Sequence, residues 1–275
     1  MGSNSQLATT LFLVGVVAYA VAATSFYLLL VGQGDRPRKL RWGRDALVVA
    51  ALAHGAHIVV RSLKERACPV ESVEFALSLI SLVVVVSFTL VARRSRIGAL
   101  GAMIAPLCLA AMVAAQFVGG GQFESQAPTW LLALHVTSNL IGIALFILAA
   151  VAGGAYLVQA SRLKAKRPLS AEAVLPGLST LERLVRRSLA IGFAPLTIGV
   201  VSGAVFASRT ALSGVGLLRG VLSYGVWTVV GALVVLGRVV GWRGRTMAWG
   251  AILGALGGLI VVFLYILAQV PGGGD

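Results

Sequence analysis

Three histidines, His54, His57 and His135, are the side chains of this chain that combine ionisable chemistry with a place deep inside long apolar segments. An ionisable group at membrane depth is costly and marks a candidate functional site. His54 and His57 are three residues apart, so they share one face of a helix. Counted inward from Ala46 at about 1.5 Å per residue, they lie roughly 12 and 17 Å deep, near the middle of a slab about 30 Å thick. His135 lies roughly 8 Å in from the outer end of its segment by the same rise, and Asn139, four residues on, shares its face. Neutral imidazole binds zinc, copper or haem iron. Catalytic zinc asks for three protein ligands, often one of them a carboxylate. Glu71 and Glu74 fall at the outer rim of the third apolar segment, too shallow to meet the paired histidines easily. Neither H-E-x-x-H nor G-x-S-x-G is present. Haem needs only one or two axial histidines in an apolar pocket and is the better match. The competing reading is that each histidine bonds a backbone carbonyl across a helix interface.

The elements that must position them are membrane helices. The chain has 275 residues, is 58% hydrophobic and has a mean hydropathy of +0.94, well beyond a soluble domain. Eight apolar runs approach or exceed the roughly 20 residues that cross a bilayer: Leu7 to Val31, Ala46 to Leu63, Val70 to Ala92, Ile97 to Val118, Trp130 to Ala160, Ser188 to Ser208, Gly220 to Gly237 and Thr246 to Val270. The expected fold is all-α: a polytopic helical bundle of eight transmembrane helices, with residues 1–275 one integral membrane domain. Of the 23 basic residues, 18 fall in alternate loops, and the other face holds Arg61, Lys64, Arg66, Arg209 and Arg219. By the positive-inside rule the heavy loops are cytoplasmic and both termini external. The net charge of +14 is therefore a topology signal in a bacterial-type inner (cytoplasmic) membrane. Without an aromatic–basic platform it does not indicate nucleic acid.

Smaller features complete this reading. Met1 to Thr10 has no basic residue, so no cleaved signal peptide is expected despite Ala18-Tyr19-Ala20, and the first helix is expected to stay. Cys68 near an outer end and Cys108 at mid-depth are too far apart to bridge. Gly250, Gly254 and Gly258 in the last run, and Gly199 and Gly203 in the sixth, predict close helix approach. Pro106 and Pro195 each remove a backbone donor and predict kinks. Ser179-x-x-Glu182 reads as a capping box opening a short interfacial helix that leads into the sixth span, with Leu178, Leu181, Leu184 and Val185 on one face and Arg183, Arg186 and Arg187 beside them. Phe123 and Trp130 are placed as interfacial anchors.

From Leu131 to Arg245 the chain resembles the membrane proteins of cytochrome c assembly, the CcsA-like and HemX-like haem-handling family. The resemblance rests on Leu134-His135-Val136 opening a helix that ends Tyr156-Leu157-Val158-Gln159, then Arg162-Leu163-Lys164 and Leu175-Pro176-Gly177-Leu178. It continues with Ile191-Gly192-Phe193-Ala194-Pro195-Leu196, Gly199 and Gly203, and closes on Trp227, Arg238 and Gly241-Trp242-Arg243-Gly244-Arg245. The first half matches loosely, in hydropathy and in Pro69 with Glu74. The resemblance implies that His135 serves haem at the outer start of its helix. Ser202 to Arg219 has neither Trp nor Asp, and no His follows His135. The tryptophan-rich haem-presenting segment of synthetase-type members is thus absent, which points to the accessory branch.

The expected function is a haem-handling or accessory protein of cytochrome c maturation, more an accessory than an enzyme, with no catalytic residues assigned. His135, His57 and His54 are the candidate haem ligands. His57 is the favoured partner for His135 on one iron, provided the second and fifth spans are neighbours. Haem iron is the only metal expected. The expected partners are the bilayer, haem, and other assembly proteins or a haem-biosynthetic enzyme. Two alternatives remain: an adaptor that regulates such an enzyme through the basic loops, and a transporter of a small hydrophobic solute. The spans are read as lacking buried Asp, Glu, Lys or Arg, which lowers the second.

Overall fold

Hydrocarbon offers no partner for backbone N–H and C=O groups, so apolar runs of this length satisfy them within helices. The computed structural model describes residues 2–32, 35–65, 72–95, 97–117, 128–165, 175–207 and 214–267. These form eight α-helices in chain order: α1 (Gly2–Leu30), α2 (Arg36–Glu65), α3 (Val73–Arg94), α4 (Gly101–Ala114), α5 (Thr129–Lys164), α6 (Leu178–Ala207), α7 (Val215–Val239) and α8 (Arg245–Leu267). A short 3₁₀ turn, Gly98–Leu100, leads into α4. Seven of the helices are long and apolar enough to cross a membrane. The other is α4, whose 14 residues rise only about 21 Å. Cys68, Pro69, Glu71, Arg96, Phe123, Lys166, Arg167, Arg209 and the middle of Ser202 to Arg219 lie outside the described residues.

The helices form two groups of four. In the first, α1 packs along α2 and α4, and α3 contacts both α2 and α4. In the second, α5 is central, packing along α6 and α8, while α7 lies on α6 and α8. The groups meet chiefly through α3 and α5. Large exposed side chains such as Leu52, Val59, Ile191, Val201 and Leu253 point outward, as lipid-facing surfaces require. Tyr19, Phe26, Phe88, Phe146 and Leu148 are fully buried.

Glycines let the helices close on one another. A methyl group at Gly101 would lie 2.5 Å from the Phe26 ring, and one at Gly43 would lie 3.0 Å from it. Phe26 thus occupies a slot between α2 and α4, edge-on to Phe88 with ring centroids 6.4 Å apart. On α8, Gly250 receives Leu233 and Gly254 receives Val230, while Gly258 faces Ile143. This stripe seats both α7 and α5. Pro106 and Pro195 lie inside α4 and α6, which continue through them.

One local expectation changes. The Gly177 carbonyl accepts from Leu181 N–H at 3.1 Å, so α6 opens at Gly177–Leu178 and Ser179 lies within its first turn. The interfacial element and the sixth span are one 30-residue helix. Leu181, Leu184, Val185 and Leu189 form its buried face.

Candidate functional site

The three histidines occupy three different settings. His54, midway along α2, is fully buried. Its Nδ1 lies 3.2 Å from Tyr19 Oη of α1 and its Nε2 lies 2.7 Å from Ser78 Oγ of α3. Tyr19 also meets the ring edge-on, with centroids 6.0 Å apart. Both nitrogens are engaged, so His54 pins three helices together. A metal would have to displace Tyr19 or Ser78 to reach it.

His57 sits one turn further along α2. Its Nδ1 donates to the Ala8 carbonyl of α1 at 2.9 Å, which leaves the Nε2 lone pair as the ring's acceptor. Gln116 Nε2 is 3.4 Å from that nitrogen, and Phe12 covers the ring at a centroid distance of 5.5 Å. Gln116 extends the chain of contacts, because its Oε1 accepts from Arg61 Nη1 at 3.1 Å. The Arg61 guanidinium also donates to Glu74 and, through Nη2 at 2.8 Å, to Glu65. Glu74 is buried, at 7% exposure. The expectation of spans without buried carboxylates is therefore corrected at the start of α3: the long Arg61 side chain carries its charge to Glu74 and links it, through Gln116, to His57.

His135 belongs to the other group, where α5 runs along α6. Its Nδ1 is 2.8 Å from the Gly199 carbonyl and 3.2 Å from Ser202 Oγ. A carbonyl only accepts, so Nδ1 carries the proton and Nε2 the lone pair. Asn139 folds back on the same turn, donating from Nδ2 to the His135 carbonyl at 2.8 Å with both ring nitrogens 3.4 Å away. The seat for this pair is the Gly199–Gly203 face of α6. A methyl at Gly199 would lie 2.3 Å from Asn139 Oδ1, and one at Gly203 would lie 2.8 Å from His135 Cε1. Gly199 and Gly203 leave room on α6 for the imidazole and the amide, and Ser202 between them is the side chain that meets the ring. Earlier on α6, Thr197 accepts from Trp227 Nε1 at 3.0 Å, and Trp227 stacks on Phe193.

The structure brings His54 and His57 together in the first group and keeps His135 in the second. α3 packs against both α2 and α5, and α2 has no substantial packing on α5. The condition for His57 and His135 to share one iron, adjacent second and fifth spans, is not met. Among the described residues no three His, Cys, Asp or Glu side chains gather at a metal-binding distance. Cys108 is buried and free, with its Sγ 3.5 Å from the Ser81 carbonyl.

As chemistry, the His135 arrangement would suit an imidazole that binds a metal through its second nitrogen. Metal-bound histidines commonly donate their second ring N–H to a backbone carbonyl, which fixes the tautomer and the ring direction. His135 and His57 both have that bond, and His54 does not. Sequence reading missed Tyr19, Ser78, Gln116 and Ser202 as partners, and assigned Gly199 and Gly203 to helix packing alone. The available signal was Gly199, Ser202 and Gly203 on α6, a small-residue face opposite the His135–Asn139 pair.

Comparison with known proteins bears on this geometry. Residues 10–269 match the family described as Cytochrome C assembly protein. The chain is also similar to the Inner membrane protein YpjD of Escherichia coli strain K12, 27% identical over 254 residues, covering 89% of this chain and 92% of the relative. The YpjD proteins of strains O6:H1 and O157:H7 match to the same extent. The family match includes the first helix group, where the resemblance in sequence was loosest.

Proposed function

Because this chain belongs to the cytochrome c assembly protein family, we propose that it is a haem-handling or accessory protein of cytochrome c maturation in which His135 meets haem. It is a multi-pass membrane protein of the bacterial inner membrane, as its relative's name and its seven apolar helices indicate. The observation that carries the haem reading is the His135 Nδ1–Gly199 carbonyl bond over the Gly199–Gly203 face of α6. It presets the imidazole for coordination through Nε2. Haem here is cargo; the chain's own residues orient the imidazole. His57 is the second candidate ligand, in its own half of the molecule, and His54 braces α1, α2 and α3 behind it.

The proposed topology has all eight helices in the membrane and both termini outside. Opposed ends of the bundle support an alternating path: Arg61, Glu74 and Gln116 meet at one end of the first group, and the basic turns of α2 and α3 lie at the other. The haem reading is tested by purifying wild type and His135→Ala from haem-replete cells and comparing haem content at equal folded protein. His135→Ala should lose most of the bound haem or shift its Soret band. Wild-type haem content and an unshifted spectrum in the variant, or no haem in wild type, refute it.

A further inference from the structure

Away from the histidines, the opposite end of the first helix group holds a cleft of about 420 Å³ between the first turns of α2 and the last turns of α3. Three arginines line it: Arg41 and Arg44 from α2 and Arg93 from α3. Asp45 is the acidic residue at the same cleft. Arg41, Arg44 and Arg93 have no ion-pair partner among the described residues. Three guanidinium groups against one carboxylate leave a net positive cleft, in a size range suited to small ligands. Guanidinium forks match phosphate oxygens in shape and charge.

The level of the cleft and what lies beneath it identify the phosphate's source. The apolar stretch of α2 begins at Ala46, immediately below the arginines. Trp42, with the Arg38 guanidinium 4.6 Å from its ring centre, stands at the same level, where tryptophans anchor helices at the membrane boundary. Leu40 and Val48 form apolar walls and Thr89 adds a hydroxyl. On α2 the face carrying Arg41, Arg44 and Val48 continues to Leu52, which is 69% exposed. On α3 the face carrying Arg93 and Thr89 continues to Val86, also exposed. The groove is thus basic at its head and apolar along its length, the pattern of one amphiphile rather than of a free anion.

We propose that this cleft is a binding site for the phosphate headgroup of an anionic phospholipid, with an acyl chain lying along Leu52 and Val86. Under the positive-inside topology it serves the cytoplasmic leaflet, where basic pockets between membrane helices bind such headgroups. The site is independent of the haem reading, since none of its residues touches a histidine.

Native mass spectrometry of the full chain in neutral detergent, titrated with phosphatidylglycerol or phosphatidylcholine of the same acyl chains, tests it. Wild type should bind the first phosphatidylglycerol about tenfold or more tightly than phosphatidylcholine. Arg41→Gln/Arg44→Gln should weaken phosphatidylglycerol about 30-fold, and Arg93→Gln alone about fivefold. Arg41→Lys/Arg44→Lys should recover most of that loss, which separates lost charge from misfolding. Arg186→Gln/Arg187→Gln, the same charge loss on α6, should leave binding unchanged. The proposal is overturned if wild type shows no headgroup preference, or if the α6 variant weakens binding as much as the cleft variant. It is overturned equally if inorganic phosphate at the same concentration displaces the lipid, since the cleft would then take a free anion.

Discussion

The seat of His135 on α6 predicts a coupling that a double-mutant cycle can read. In Gly203→Ala the new methyl would lie 2.8 Å from His135 Cε1, whereas ordinary contact begins at 3.4 Å. The imidazole must therefore retreat by the difference, 3.4 − 2.8 = 0.6 Å, away from α6. Gly199 is on the same face, so that retreat stretches the Nδ1–carbonyl bond from 2.8 Å to about 3.4 Å, the outer limit of a useful hydrogen bond. Overpacking costs about 1–3 kcal/mol, and a lost interhelical hydrogen bond in a membrane protein adds about 0.6 kcal/mol. Gly203→Ala should thus destabilise by roughly 1.6–3.6 kcal/mol in reversible unfolding with increasing SDS mole fraction. In a His135→Ala background the same methyl meets open space, and its cost should fall below about 0.5 kcal/mol. Haem affinity should drop about 10- to 100-fold in the single variant, the usual cost of disturbing a ligand's supporting bond. If the two substitutions are additive, the Gly203 face is not the seat of His135 and the reasoning fails.

His54→Leu should destabilise by about 2 kcal/mol, because it strands Tyr19 Oη and Ser78 Oγ; adding Tyr19→Phe and Ser78→Ala should recover much of that in the same SDS titration, whereas haem content should stay at the wild-type level throughout. Arg61→Met leaves buried Glu74 without its cation and should cost more than Glu74→Gln, which leaves Arg61 its bond to Glu65; about 3 kcal/mol is expected for the first, and equal losses would argue against the buried pair. Single cysteines placed after Arg96 and after Gln126 in a cysteine-free background should label from opposite sides of the membrane, and labelling from one side defeats the eight-span topology.

The helices were readable because hydrocarbon permits little else: every apolar run in the sequence corresponds to a helix, and His135 lies near the start of α5 as its depth requires. Neighbourhood was not readable. Hydropathy reports that α2 and α5 are apolar, and says nothing of α3 packing against both. Depth alone therefore puts His57 and His135 within reach of one iron, and helix neighbourhood separates them. Glu74 was set aside as shallow, a judgement that measured the Cα position and ignored the reach of Arg61. Gly199 and Gly203 stood out as a motif, yet a small-residue face does not declare what fills it. Here that is a histidine and an asparagine rather than a bare backbone.

The length of α5 has a mechanical consequence. Its 36 residues rise about 54 Å, against about 30 Å of hydrocarbon. The companion α6, of 30 residues, rises about 45 Å. Arg162, Lys164, Arg183, Arg186 and Arg187 stand at one shared end, where charge bars entry into lipid. The excess length therefore emerges there as a stiff pair of rods. His135 is about 43 Å from Lys164 along an unbroken helix, and its seat is on the second rod. Along α5 a force or a partner applied to the basic end meets no proline on the way to His135, and along α6 it meets Pro195 before Gly199. It tilts or slides α5 against α6, and the contact that must register this is the Gly199–Gly203 face beneath the imidazole.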